Sequence, residues 1–170
     1  AADVIRGLRE LGVTKLDMMT GDNEKTARAV AEAVGVDAYF AEVLPEDKAA
    51  FIQAEHAAGR KVIMLGDGVN DSPALSEADA GVAISDGAAI AREVADITVG
   101  ADDLYALLTL KRLSDALMER IHSNYRKIIS FNFLLICLGV AGVLPPATSA
   151  LLHNASTLVI SLKSMTKLLA

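Results

Sequence analysis

The sequence predicts an α/β fold: a parallel sheet wrapped by helices, then a long helix, then a pair of apolar helices. Three observations predict it. Short apolar runs alternate with helical patterns through the first part of the chain. Gly and Pro mark most of the junctions. Charge then falls away at Ile128, after which only Lys163 and Lys167 are charged.

Taken in order, Asp3 to Leu11 reads as a helix ending at Gly12, and Lys15 to Met19 as a strand. The strand runs into Thr20-Gly21-Asp22-Asn23, which opens a helix from Glu24 to Val34 that Gly35 stops. Tyr39 to Val43 is a second strand. Pro45-Glu46-Asp47 starts a helix that reaches Ala58, and Gly59 closes it. Lys61 to Leu65 is a third strand, and the stretch Met64 to Leu75, MLGDGVNDSPAL, carries it into a short helix from Pro73 to Glu77. Ala80 to Ile84 and Asp96 to Val99 are two more strands, with a helix near Ala88 to Val94 between them. Strands alternating with helices at this spacing imply βαβ units and a parallel sheet. From Asp102 to Lys127 the apolar residues recur at helical spacing, giving one long helix or two in series.

The 170 residues carry a net charge of −6 and no basic run, so nucleic acid is not an expected partner. The lone Cys137 excludes an internal disulfide and an all-cysteine metal site. Apolar residues make up 52% of the chain, with a mean hydropathy of +0.38. That excess concentrates in two segments, Ile128 to Val143 and Ala147 to Leu169, separated by Pro145-Pro146. They read as a transmembrane hairpin with both ends on the cytoplasmic side, because Arg120, Arg126 and Lys127 precede it and Lys163 and Lys167 sit near its end. A buried helical hairpin is the other reading, because His153, Asn154, Ser156 and Thr157 weaken the second span.

In parallel α/β sheets ligands bind beyond the carboxyl ends of the strands, and both polar clusters, TGDN and GDGVND, follow strands. Two aspartates there suit Mg²⁺ shared with a phosphate. Asp67 comes first after its strand and is the expected Mg²⁺ ligand, with Asp71 supporting the site. Gly66 and Gly68 allow close backbone approach, and Asn70 can bond a phosphate oxygen. Thr20 and Gly21 can hold phosphate oxygens at a helix start, and Asp22 can contact a nucleotide. Lys48 opens its helix toward the same crevice and can neutralise phosphoryl charge. Read singly, each has a plain alternative: an acidic turn, an N-cap turn, a solvated lysine.

Together, T-G-D, a lysine and G-D-G-V-N-D-S-P-A-L resemble the haloacid-dehalogenase-type (Rossmann-related) phosphorylation domain of P-type ATPases. The resemblance extends along the whole chain and implies residues 1–103 as the C-terminal part of that domain, 104–127 as a stalk and 128–170 as a membrane hairpin. It implies Thr20 as the phosphate-binding threonine, Lys48 as the lysine supporting the phosphoryl group, Asp67 as the Mg²⁺ ligand, and Asn70 and Asp71 as residues ordering the phosphate site. Mg²⁺ and ATP are the implied cofactor and substrate. The family's nucleophile lies in a D-K-T-G-T motif that these residues do not contain, so the resemblance implies further domains upstream and no ATP hydrolysis by this stretch alone.

A hairpin of only two membrane helices resembles the heavy-metal branch, which implies a multi-pass membrane exporter with residues 1–127 in the cytoplasm and a divalent transition metal, zinc-, cadmium- or cobalt-like, as cargo. His153 falls in the register of that branch's metal-binding motifs and is the candidate ligand, with Asn132, Ser156 and Thr157 as weaker ones. A soluble or membrane-anchored phosphatase of the wider superfamily, or a phosphate-binding regulator, is the alternative.

Overall fold

The structure is a computed structural model, and it describes residues 1–66, 69–84, 94–100 and 103–168. The chain divides into two compact units, Ala1–Thr109 and Leu110–Ala170.

The first unit alternates as its sequence pattern dictates. Helix α1 (Ala2–Glu10) precedes strand β1 (Asp17–Met19), then come α2 (Glu24–Val34), β2 (Ala38–Phe40), α3 (Pro45–Ala57) and β3 (Ile63–Gly66). A short 3-10 turn (Val69–Asp71) leads into α4 (Ser72–Glu77), β4 (Ala80–Ile84) and β5 (Ile97–Val99). Every pairing is parallel, as βαβ connection requires. The ladders form two separate sheets among the described residues, β1-β2 and β3-β4-β5. Strand β4 covers its apolar run in full, whereas β1, β2, β3 and β5 are shorter than the runs that announced them, because only three or four residues of each are hydrogen-bonded. The helix expected near Ala88 to Val94 lies outside the described residues except for Val94.

Local chemistry sets the element ends. Asn23 caps α2, its Oδ1 accepting from Thr26 N at 3.0 Å, and Gly35 ends it at φ +83°. Asp47 reaches back to Leu44 N at 3.4 Å and steadies the first turn of α3, where Pro45 needs no donor. The core gathers Ile52 of α3, Met64 of β3 and Ala74 and Leu75 of α4, with Met19 of β1 packed against them. Ile52 and Ala74 are fully buried. Lys15 binds Asp17 at 2.8 Å and Glu55 at 3.0 Å, which holds the start of β1 to α3, and Arg60 pairs with the same Glu55.

The second unit is a helical hairpin. Helix α5 (Ala106–Val140) begins in the first unit and runs unbroken through the point where charge stops, and α6 (Pro146–Ser164) returns beside it. No helix of the described residues is long and apolar enough to cross a membrane, so the two expected spans are not shown. The physical reason is plain. α5 ends at Val140, so its apolar part past Lys127 falls short of the roughly 20 residues a bilayer needs. α6 carries His153, Asn154, Ser156, Thr157 and Lys163 within its 19 residues.

Candidate functional site

The site is built where β3 runs into α4. Gly66 ends β3, and the 3-10 turn brings Asp71 back against it. A Cβ on Gly66 would lie 2.7 Å from Asp71 Cβ and 2.8 Å from its Oδ2, so only glycine fits here. Asp71 is 7% exposed and receives Lys48 Nζ at 2.6 Å. Lys48 comes from the first turn of α3, and its side chain is 13% exposed. A lysine–carboxylate pair this buried fixes both side chains, because separating them would strand a charge out of water.

Next in sequence to Asp71, the Oγ of Ser72 is buried with no hydrogen-bond partner among the described residues. Buried hydroxyls are normally satisfied, so this oxygen retains capacity for a hydrogen bond. The Asp71 carboxylate and the Lys48 ammonium are groups whose chemistry suits a magnesium-bound phosphate. Asp67 and Gly68, expected to hold the cation and approach the phosphate, lie outside the described residues. Asn70 is exposed on the turn beside Asp71.

The second loop follows β1. Thr20 Oγ1 donates to Asp22 Oδ2 at 3.0 Å and accepts from Asp22 N at 3.1 Å, forming a tight turn ahead of α2. The surroundings of Gly21 are open, since a Cβ there would meet nothing nearer than Val43 O at 3.9 Å. This turn is stitched to the loop after β2: Glu42 N donates to Asp22 O at 2.9 Å, and Val43 N to Thr20 O at 3.0 Å. Glu42 sits at φ +55°, a left-handed conformation that side chains other than glycine rarely adopt. Sequence reasoning misses Glu42, and no residue pattern announces it. An open cavity of about 470 Å³ adjoins the stitched loops, lined by Met19, Tyr39, Glu42, Val43, Asp47 and Phe51.

Of the residues singled out from sequence, the fold therefore brings Lys48, Asp71 and Gly66 together. Thr20 and Asp22 keep their hydrogen bonds within their own turn and the adjoining loop. Sequence marks Ser72 only as a helix start, and its position next to Asp71 is the one available signal.

In the second unit, His153 Nδ1 lies 2.8 Å from Asn132 Oδ1 on the facing helix. The hydroxyls of Ser156 and Thr157 both donate to His153 O, at 2.8 and 3.0 Å, and so serve their own helix. Among the described residues no cluster of three or more His, Cys, Asp or Glu could hold a metal ion.

A haloacid dehalogenase-like hydrolase family matches residues 1–79. The zinc-exporting P-type ATPase of Mycobacterium marinum (strain ATCC BAA-535 / M) is 40% identical over 94% of this chain and 22% of its own length. The manganese-exporting P-type ATPase of Mycobacterium tuberculosis (strain ATCC 25618 / H37Rv) is 40% identical over the same shares. The copper-exporting P-type ATPase of Staphylococcus aureus (strain JH9) is 42% identical over 86% of this chain and 18% of its own. Among solved structures, a zinc-transporting PIB-type ATPase in its E2·Pi state superposes with a TM-score of 0.83 at 29% identity, covering 99% of this chain and 27% of that one. The chain thus spans about a fifth of the length of the curated relatives it matches.

Proposed function

The chain belongs to the metal-exporting P-type ATPases, and on that premise we propose that it forms part of an ATP-driven exporter of a heavy-metal cation. The observation that carries the reading is the buried Lys48–Asp71 pair packed under a glycine that tolerates no side chain. In this proposal the first unit supplies the phosphate site. Lys48 offsets phosphoryl charge, Thr20 and the Gly21 amide hold phosphate oxygens, Asn70 bonds one more, and Asp71 keeps Lys48 in place. Asp22, Gly66 and Gly68 shape the approach for ATP. Asp67, supported by Asp71, would hold Mg²⁺, and the ion would supply positive charge to the phosphate oxygens. The 170 residues contain no Asp-Lys-Thr-Gly-Thr stretch, so the acceptor carboxylate comes from another part of the polypeptide.

The second unit supplies cargo contacts. With Nδ1 donating to Asn132 Oδ1, the Nε2 of His153 is the ring nitrogen left to ligate a metal, an arrangement common among metal-binding imidazoles. A zinc-, cadmium- or cobalt-like divalent ion is the cargo we favour, while the relatives above are named for zinc, manganese and copper. A bilayer and neighbouring helices are proposed to cover this unit. Large apolar side chains stand open around it, among them Phe133, Ile136, Leu158 and Val159, each more than 60% exposed. Residues 1–127 then lie on the cytoplasmic side.

Uptake of metal into inside-out vesicles carrying the intact gene product tests the reading. ATP-dependent accumulation of one or more of these ions is expected. Magnesium-dependent phosphate binding or phosphatase activity with no accumulation of any ion would replace it with the phosphatase or regulator reading.

A further inference from the structure

The face that α5 turns toward α6 is marked by its less exposed positions, which recur at intervals of three and four from Arg120 through Asn124, Ile128 and Asn132 to Leu135. Three residues of this stripe are polar, and each meets α6 or the turn that ends it. Arg120 Nη1 donates to Ser164 O at 3.1 Å and also reaches Thr166 O, and Nη2 donates to Lys167 O at 2.7 Å. Asn124 Nδ2 donates to Ser164 Oγ at 2.7 Å. The Asn132–His153 pair described above is the third link.

The contact with Ser164 O satisfies one of the carbonyls that every helix leaves unpaired at its C-terminus, the other two hold the turn just beyond it, and a cation there also suits the helix dipole. A planar guanidinium can reach three carbonyls at once, which an ammonium on a lysine stem cannot reproduce. Sliding α6 by one helical turn, about 5.4 Å, would break all three links together. The phosphate site and the His153 ligand use neither Arg120 nor Asn124.

We propose that Arg120, aided by Asn124, is a positioning residue that welds the C-terminal turn of α6 to α5, so that the two helices travel as one body during transport. The proposal rests on the transport reading above. Its consequence is that movement of α5 reaches His153 without a change of register between the helices.

The test uses the intact protein in vesicles, with Asn124→Cys and Ser164→Cys combined on a Cys137→Ser background and each single cysteine as control. The expected result is a disulfide under oxidant, with transport within twofold of the reduced state. Loss of transport on oxidation that a reductant restores would overturn the weld, since the helices would then have to slide. So would absence of the disulfide alongside efficient cross-linking of Asn124→Cys to Ile160→Cys, one turn away. Independently, Arg120→Ala should leave phosphorylation by ATP within twofold and lower the metal moved per ATP at least fivefold, with Arg120→Lys failing to restore it. Equal loss of both activities, or loss of neither, would overturn the role. If Arg120→Ala does not accumulate, the cross-linked pair decides. Wild-type transport reports separately on the transport reading, and the choice between the two cross-links reads the register even in a protein that moves no metal.

Discussion

Replacing Gly66 with Ala places a methyl carbon 2.7 Å from Asp71 Cβ, 2.8 Å from its Oδ2 and 3.0 Å from its Cγ. Ordinary carbon contacts begin near 3.4 Å, so Asp71 or β3 must shift by about 0.7 Å. Neither gives easily. Asp71 is 7% exposed and tied to Lys48 at 2.6 Å, and β3 is paired with β4 along all four of its residues. Overpacking of this kind costs about 1–3 kcal/mol. The functional loss should be larger in proportion, because a displacement near 1 Å at a reacting centre can cost on the order of 100-fold in rate. Urea unfolding of the chain reads the first quantity, and phosphorylation of the intact gene product by ATP reads the second. The expectation is a fall in stability of about 2 kcal/mol and a fall in phosphorylation rate of at least tenfold. A variant that phosphorylates within twofold of wild type, with unchanged unfolding, would show that Gly66 is not holding Asp71 in place and would refute the reasoning.

The Lys48–Asp71 pair should give a strong double-mutant cycle: Lys48→Met alone takes the paired cation from a buried carboxylate at a cost of about 3 kcal/mol, and adding Asp71→Asn should recover part of it. Additive losses in urea unfolding would count against coupling. Acid should unfold the first unit through Glu55 and Asp79. Arg60 and then Lys15 hold Glu55 down from 4.5 to about 2, and Lys61 and then the Val62 amide hold Asp79 down from 3.8 to about 2. Depressed carboxylates contribute stability above their unfolded values and lose it as pH falls toward 2, so Glu55→Gln should flatten the stability profile between those limits. Circular dichroism titrations that run parallel for variant and wild type would contradict this. Asn23→Ala removes the α2 cap and should lower stability by about 1 kcal/mol, read by thermal unfolding.

The elements most legible in the sequence are those with chemistry at both ends. The α2 boundaries agree with the sequence reading because Asn23 and Gly35 punctuate it, and β4 agrees because its apolar run is bounded by Asp79 and Ser85. The apolar runs start β1 and β3 two residues too early, since such a run says nothing about where a ladder finds its partner. The change of composition at Ile128 suggests a boundary, yet the backbone of α5 passes through it, because helical hydrogen bonds are indifferent to whether side chains are charged. Placing Lys48 and Asp71 in one crevice is legible from strand order. The hydrogen bond between them, the strain at Glu42 and the orphaned hydroxyl of Ser72 are not, because each depends on how separate loops meet. Arg120 reads in sequence only as a flanking positive charge, since its partners lie 44 to 47 residues further along the chain.

The central claim is that the first unit supplies the phosphate site of an ATP-driven metal exporter. Incubating the intact gene product with radiolabelled ATP, Mg²⁺ and a panel of divalent transition metals, then quenching in acid, tests it most directly. The account predicts a metal-dependent phosphoprotein that hydroxylamine cleaves and that Lys48→Ala lowers at least tenfold. A wild-type protein that takes up no phosphate with any metal, or one that Lys48→Ala leaves unchanged, would contradict it.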